Sequence, residues 1–297
     1  MVSAPVAAVI VTWRSADVVA NCLASLAREL PEGSEIVVVD NASGDTTVAT
    51  VRGAAPGAQV IENAANRGLA AANNQGLAAS AAPYVLIANP DTEFRAGSLR
   101  AMADVLDKQP RAAWVVPRLL DADGTLLTSA GDLPRLRDAL WGRQAARQRG
   151  SGTPSGFWWD GWDHRSTRAI GRGHECAYLV RRAAIDQVGP QDERYVLDWE
   201  GFDWTDRLRQ DGWEIWLAAD AEVVHLGGTS IRQVPVRAAV SQHRAMYRYF
   251  ADRRQPAWVW KPLLAVLFTL RGAIKATASA LGVPLYSWAH RGRSGRA

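Results

Sequence analysis

Short β-branched runs alternate with Ala-rich amphipathic stretches from the start of the chain. Ala7 to Thr12, Glu35 to Val39, Gln59 to Ile61 and Tyr84 to Ala88 predict strands, and Val18 to Leu30, Thr46 to Arg52, Gly68 to Ser80 and Ala96 to Lys108 predict helices. Strand and helix in regular alternation imply an α/β architecture, a parallel sheet covered on both faces. Ligands of such sheets gather beyond the carboxyl ends of the strands. After Arg111 the alternation weakens, and Gly131 to Arg168, rich in Gly, Arg and Trp, predicts a long functional loop. Regular patterning resumes with the strand Ala177 to Val180, a helix from about Trp199 to Asp211, and the strand pair Glu214 to Leu217 and Glu222 to Leu226.

Polar clusters follow directly on three of the predicted strands: Thr12-Trp13-Arg14, Asp40-Asn41-Ala42-Ser43 and Asn89-Pro90-Asp91. All three are expected at one rim. There a carboxylate such as Asp40 can accept the N3 hydrogen of uracil or thymine, and Asp91 can hold a divalent cation against a diphosphate. Taken singly, Asp40 reads better as a cap of the helix that follows it, and Asp91 is open to either reading.

Composition narrows the class. The 297 residues are 48% hydrophobic and 22% charged, enough to bury a real core. Cys22 and Cys176 stand far apart without ligand-spaced partners, so neither a disulfide framework nor a zinc site is expected, and a reducing cytoplasm suits them. The apolar run Ala7 to Val11 is too short for a signal peptide core and reads as a buried strand. A net charge of +4, with much of the Arg after Arg232, points to an anionic partner. No nucleic-acid-binding signature accompanies it, which leaves phosphate groups or an anionic membrane surface.

The runs Ala8 to Trp13, Val37 to Ser43, Glu62-Asn63 with Asn66 to Gly76, and Leu86 to Thr92, in this order, resemble family 2 glycosyltransferases, most closely the bacterial rhamnosyltransferase-like branch. The resemblance covers residues 6 to 230. It implies a GT-A fold, with a central mostly parallel sheet flanked by helices, and inverting transfer from a nucleoside diphosphate sugar, dTDP- or UDP-linked, assisted by Mn²⁺ or Mg²⁺. In that picture Asp40 reads the pyrimidine beside Thr12 and Trp13, and Asn41, Arg67, Gly68, Asn74 and Asn89 line the donor. Asp91 ends a DXD-like motif and binds metal with His225. Asn89 stands where many members carry an acidic ligand. On the acceptor side, Tyr195 to Asp203 resembles the segment in which an Asp following a Glu serves as base; here Gly201 stands at that position. Glu200 inherits the role, with Asp198 and Asp203 as competitors; Asp203 could instead orient Glu200 or pair with Arg207 one turn later. His174-Glu175 stands where relatives often have Ser-Gly, so acceptor preference is expected to differ.

The expected organisation is a transferase domain over 1–230, with a donor half to about 110 and an acceptor half from 111, then a C-terminal helical segment over 231–297. The uncharged apolar run Pro262 to Leu270 there is short for a membrane span. The segment reads as an interfacial helix, or as one that packs on the domain or on a second subunit, and Arg291 to Ala297 is expected to be disordered. The acceptor implied is a cell-envelope glycan or a polyprenyl-linked precursor, met at the cytoplasmic face of the plasma membrane. Two other readings compete. A nicotinamide-dependent oxidoreductase is opposed by Thr12-Trp13-Arg14-Ser15, which stands where a Gly-rich phosphate loop would be. A sugar-binding protein on a degenerate transferase fold is kept open by Asn89 and Gly201.

Overall fold

The computed structural model describes residues 4–141, 157–159, 161–227, 234–253 and 258–281. The tail 291–297 and residues 142–156 of the long Trp-rich loop lie outside them. Along the chain run β1 (Val6–Thr12), α1 (Val19–Glu29), β2 (Glu35–Asp40), α2 (Thr47–Ala54), β3 (Gln59–Glu62), α3 (Leu69–Ala78), β4 (Tyr84–Ala88), β5 (Thr92–Phe94) and α4 (Ser98–Lys108). There follow β6 (Ala112–Leu120), β7 (Leu126–Leu127), β8 (Ala130–Gly131), α5 (Leu136–Trp141), β9 (Arg168–Ile170), β10 (Arg172–Gly173), β11 (Ala177–Arg181) and α6 (Arg182–Val188). The last elements are α7 (Glu200–Gln210), β12 (Glu214–His225), α8 (Pro235–Arg248), a π-helical turn (Tyr249–Arg253) and α9 (Trp260–Ala280).

The central sheet runs in the order β3-β2-β1-β4-β11-β6-β12-β5. Its first four strands are parallel, as the alternating pattern predicts. The second half is mixed: β11 lies antiparallel between β4 and β6, while β6 and β12 are parallel. β6 went unread in the sequence because Pro117 interrupts it, and proline cannot donate to a ladder. The structure tolerates Pro117 opposite Ala218, where the β6–β12 register shifts. That irregularity also explains why the expected strand pair after Glu214 is one long strand.

Apolar side chains pack on both faces of the sheet. One layer joins Leu23, Leu26, Leu99 and Met102 of α1 and α4 to Ile10, Val38 and Leu86. The other joins Val9, Val37 and Ile87 to Ala72 of α3, Trp204 of α7, and the Trp114–Tyr178 pair, stacked with centroids 4.1 Å apart. A third cluster unites Trp199 and Phe202 with Tyr249, Phe250, Leu264 and Phe268. α8, the π-helical turn and α9 are thus seated on the start of α7 by this cluster.

Candidate active site

The three strand-end clusters do meet at one rim. Asn41 is the pin of the donor side. Its N–H donates to the Thr12 carbonyl at 2.8 Å, its amide donates to the Gly68 carbonyl at 3.1 Å, and its Oδ1 accepts the Arg67 N–H at 2.9 Å. The loop before α3 is thereby drawn over the ends of β1 and β2. Gly68 sits at φ +91° with Val196 against it; an added Cβ would lie 2.8 Å from the Val196 carbonyl oxygen, so both conformation and space require glycine. The Asp40 carboxylate is buried beneath this loop, accepting from Thr12 Oγ1 at 2.9 Å, from the Ser43 N–H at 3.0 Å and from the Ser43 hydroxyl. It fixes its own loop and does not cap α2, whose first-turn Thr47 N–H is taken by Asp45.

Beyond the rim opens a cavity of about 260 Å³, lined by Trp13, Asn41, Gly68, Asn89 and Asp91 together with Glu175, Asp198, Glu200 and Phe202. His225 reaches it from the end of β12. The β5–β12 register sets His225 beside Thr92, and its Nε2 lies 3.4 Å from Asp91 Oδ1. Burial would lower the His225 pKa, but the Cys176 sulfur and the Asp91 carboxylate beside it outweigh that and raise it well above the usual imidazole value.

The remaining candidates divide. Arg67 is exposed and, with Asn74, lies outside the cavity wall. Asn74 instead clamps the chain before α7, donating to the Gln191 carbonyl at 2.8 Å and accepting its N–H at 3.0 Å. Asp203 is also withdrawn from the cavity: wholly buried, it accepts from Arg207 Nε at 2.9 Å, the pairing its spacing predicts, and from Arg253 in the π-helical turn. Held between two guanidinium groups and not part of the cavity lining, Asp203 is not positioned to reach an acceptor hydroxyl. Asp198 and Trp199 both adopt left-handed backbone, φ +68° and +77°, and this sharp turn aims the start of α7 at the cavity.

Sequence reasoning missed two cations here. Arg172 is buried, its guanidinium 3.7 Å from the Trp158 ring centroid and 4.8 Å from that of Phe202, and it donates to the Phe157 carbonyl at 2.9 Å. Cation–π contacts of this desolvated kind contribute about 2 kcal/mol. The Trp-rich loop was the only signal for this cage, and no spacing rule selects its arginine. Arg237 of α8 lines the opening, beside Val234 and Ser241. The basic bias after Arg232 anticipated such a residue without identifying it.

The glycosyl transferase family 2 profile matches residues 7–159, and an N-acetylglucosaminyl-diphospho-decaprenol L-rhamnosyltransferase from Mycobacterium tuberculosis is 30% identical over 90% of this chain and 89% of its own. The chain belongs to glycosyl transferase family 2. It is a nucleotide-sugar glycosyltransferase of the α/β GT-A type. Among solved structures, the Pyrobaculum calidifontis mannosyltransferase PcManGT, in complex with GDP-Man and Mn²⁺, superposes with a TM-score of 0.55 at 17% identity, covering 97% of this chain and 77% of that one. The 1–349 fragment of S. aureus TarS gives 0.53 at 15% identity, covering 94% and 92%. These two likenesses concern the fold. The match to the family and the lack of a Gly-rich turn after β1 set aside the oxidoreductase reading.

Proposed function

We propose that this glycosyltransferase moves rhamnose, with inversion, from a dTDP donor to an N-acetylglucosaminyl-diphospho-polyprenol at the cytoplasmic membrane surface. The observation that carries the reading is a cavity lined both by residues of the strand-end donor rim and by the carboxylates Glu175, Asp198 and Glu200. Such a shared lining suits a single displacement, in which the diphosphate departs from one face of the anomeric carbon as the hydroxyl attacks the other. The relative that spans nearly the whole chain supplies the sugar and the acceptor class by its name.

The donor base is assigned to the Trp13 and Asp40 corner. An ionised carboxylate offers about four acceptor sites; three of those on Asp40 are taken by Thr12 and Ser43, leaving one for a pyrimidine N3 hydrogen. The diphosphate is assigned to the Asn89–Asp91 turn. Asp91 and His225 form a buried carboxylate–imidazole pair in the cavity wall; the carboxylate suits Mn²⁺ or Mg²⁺, and His225 would join it only after giving up its proton. Among the described residues no group of three metal-ligating side chains exists, so diphosphate oxygens and water would complete the coordination. A bound cation would neutralise charge that builds on the departing diphosphate. Arg237 at the opening is placed to meet the anionic diphosphate of a lipid-linked acceptor. The outward apolar face of α9 would rest on lipid.

A thermal-shift screen of UDP, dTDP, ADP and GDP sugars with Mn²⁺ tests the donor, since a ligand selective for the native state adds about 2.7 kcal/mol at hundredfold excess over its dissociation constant. dTDP-rhamnose should stabilise most and support transfer to the polyprenyl acceptor. Equal response to purine and pyrimidine nucleotides would remove Asp40 from base reading. A response to another sugar nucleotide alone would replace the donor.

A further inference from the structure

An inverting transfer needs one carboxylate to take the acceptor proton, and three border the acceptor side of the cavity: Glu175, Asp198 and Glu200. Asp198 is engaged at both oxygens, accepting the Trp199 N–H at 3.1 Å and the Gln242 amide at 2.7 Å. Glu200 is buried in the first turn of α7, its Oε2 without a hydrogen-bond partner among the described residues. Burial and the neighbouring Glu175 and Asp198 charges raise its pKa well above the usual carboxylate value, against one backbone N–H that favours the charge. Glu175 differs from both. It reaches from the loop before β11 to the start of α7, where its Oε2 accepts the Gly201 N–H at 3.2 Å. A Cβ on Gly201 would lie 2.1 Å from Glu175 Cδ and 2.5 Å from Oε2. The Glu175 carboxyl therefore fills the volume that a side chain at 201 would occupy. The two departures in the sequence, a Glu at 175 and a Gly at 201, are one spatial exchange: a carboxylate delivered from the opposite backbone.

We infer that Glu175 is the general base of the transfer, a role that rests on the glycosyltransfer reading above. Two carboxyl groups packed together in a dry site hold one proton between them, and the charge settles where donors face it. The Gly201 N–H and the nearby Arg172 guanidinium favour Glu175 as the ionised member and leave Glu200 neutral. The next residue, Cys176, accepts the Asn89 N–H through its carbonyl at 2.7 Å, so the base and the donor rim share one rigid stretch of β11 and β4. Burial and the Asp198 charge push Glu175 up to about 8, against Arg172 and the Gly201 N–H, which pull it down. In the step itself a Glu175 oxygen takes the proton of the acceptor hydroxyl while that hydroxyl oxygen bonds to the anomeric carbon. The bond from that carbon to the diphosphate breaks, and its electron pair leaves with the nucleoside diphosphate.

Turnover and nucleotide affinity are to be measured with dTDP-rhamnose, N-acetylglucosaminyl-diphospho-polyprenol and Mn²⁺ for the full chain, E175Q, and the exchange variant E175G/G201D. E175Q should lose about 10²- to 10⁴-fold in kcat, the usual contribution of a positioned base, with dTDP affinity unchanged. E175G/G201D returns a carboxylate to the same volume without the clash and should recover much of that loss. The groups facing Glu175 are Arg172, Tyr178, Asp198 and Glu200. With those unaltered, wild-type kcat should rise with pH to a limb near 8, and the exchange variant should move that limb. Near-normal turnover by E175Q overturns the assignment. So does an exchange variant that folds and binds dTDP yet turns over no faster than E175Q. A wild-type chain that binds no nucleoside diphosphate and transfers no sugar would instead sink the transfer reading, by a separate readout.

Discussion

Asp91 Oδ1 lies 3.4 Å from His225 Nε2, which ties the turn after β4 to the end of β12, two strands that are not neighbours in the sheet. The contact is possible because β5 folds back antiparallel on β12 and brings Thr92 level with His225. If this pair is the metal site, Asp91→Asn keeps the shape and removes the charge. We expect dTDP binding to lose its Mn²⁺ stimulation, and the melting temperature to fall somewhat because His225 loses its buried partner. Calorimetric titration of dTDP with and without Mn²⁺ decides it, and undiminished stimulation in the variant would place the metal elsewhere.

Gly201 makes a second prediction that concerns stability alone. Gly201→Ala puts a methyl into the Glu175 carboxyl, and overpacking of this kind costs about 1–3 kcal/mol. Glu175→Ala clears the space, so the double substitution should be more stable than the sum of the two single effects. Urea denaturation of the four proteins measures the coupling. Additive effects would mean that the two residues do not share the volume described.

Much of the donor half was legible in the sequence because β1 and β4 and the end of β2 are buried on both faces and read as apolar, largely β-branched runs. The three polar clusters followed from that placement: once Thr12, Asp40 and Asn89 are strand ends, topology brings them together. The acceptor half was less legible for physical reasons. Pro117 masks β6 because its compensating register shift lies more than a hundred residues away on β12. The Glu175–Gly201 exchange shows in sequence as two unrelated oddities, since only the antiparallel insertion of β11 between β4 and β6 puts the two side by side. Asp203 looked like a candidate base because its pairing with Arg253 depends on how α9 and the π-helical turn seat on α7.

Asp203 therefore carries a prediction opposite in kind to that for Glu175. Its two arginine partners are themselves largely covered, and removing one member of a buried ion pair costs about 3–5 kcal/mol because the others are left uncompensated. The side chains of Arg207 and Arg253 are 15% and 28% exposed, which places the expected loss at the low end, about 3 kcal/mol. Asp203→Ala should lower the unfolding free energy by that amount and leave kcat per folded molecule close to wild type. A stable variant with collapsed turnover would return Asp203 to the chemistry.

The last prediction concerns α9, a continuous helix of 21 residues that is long and apolar enough, by length and composition, to cross a membrane. Its charges, Lys261, Arg271 and Lys275, interrupt the run and favour a position along the surface instead. The two expectations for this segment, packing and lipid contact, are met by opposite faces. Leu264, Phe268 and Gly272, four residues apart, turn inward to α8 and the third cluster, and Gly272 lies against His243. Leu263, Val266, Leu270 and Ile274 turn outward, with Ile274 69% and Trp258 80% exposed. A face of this breadth, flanked by basic residues, matches an anionic lipid surface in both its apolar and its electrostatic parts. Leu263→Ser with Leu270→Ser removes outward area without touching the inward contacts. Each leucine is already partly covered, so about 2 kcal/mol of partitioning free energy, or about thirtyfold in vesicle affinity, should be lost. Co-sedimentation with anionic vesicles measures it, and added salt should weaken the wild-type association by screening the basic residues. If both proteins pellet equally and both migrate as dimers in solution, the outward face covers a second copy of the chain, and the lipid assignment falls.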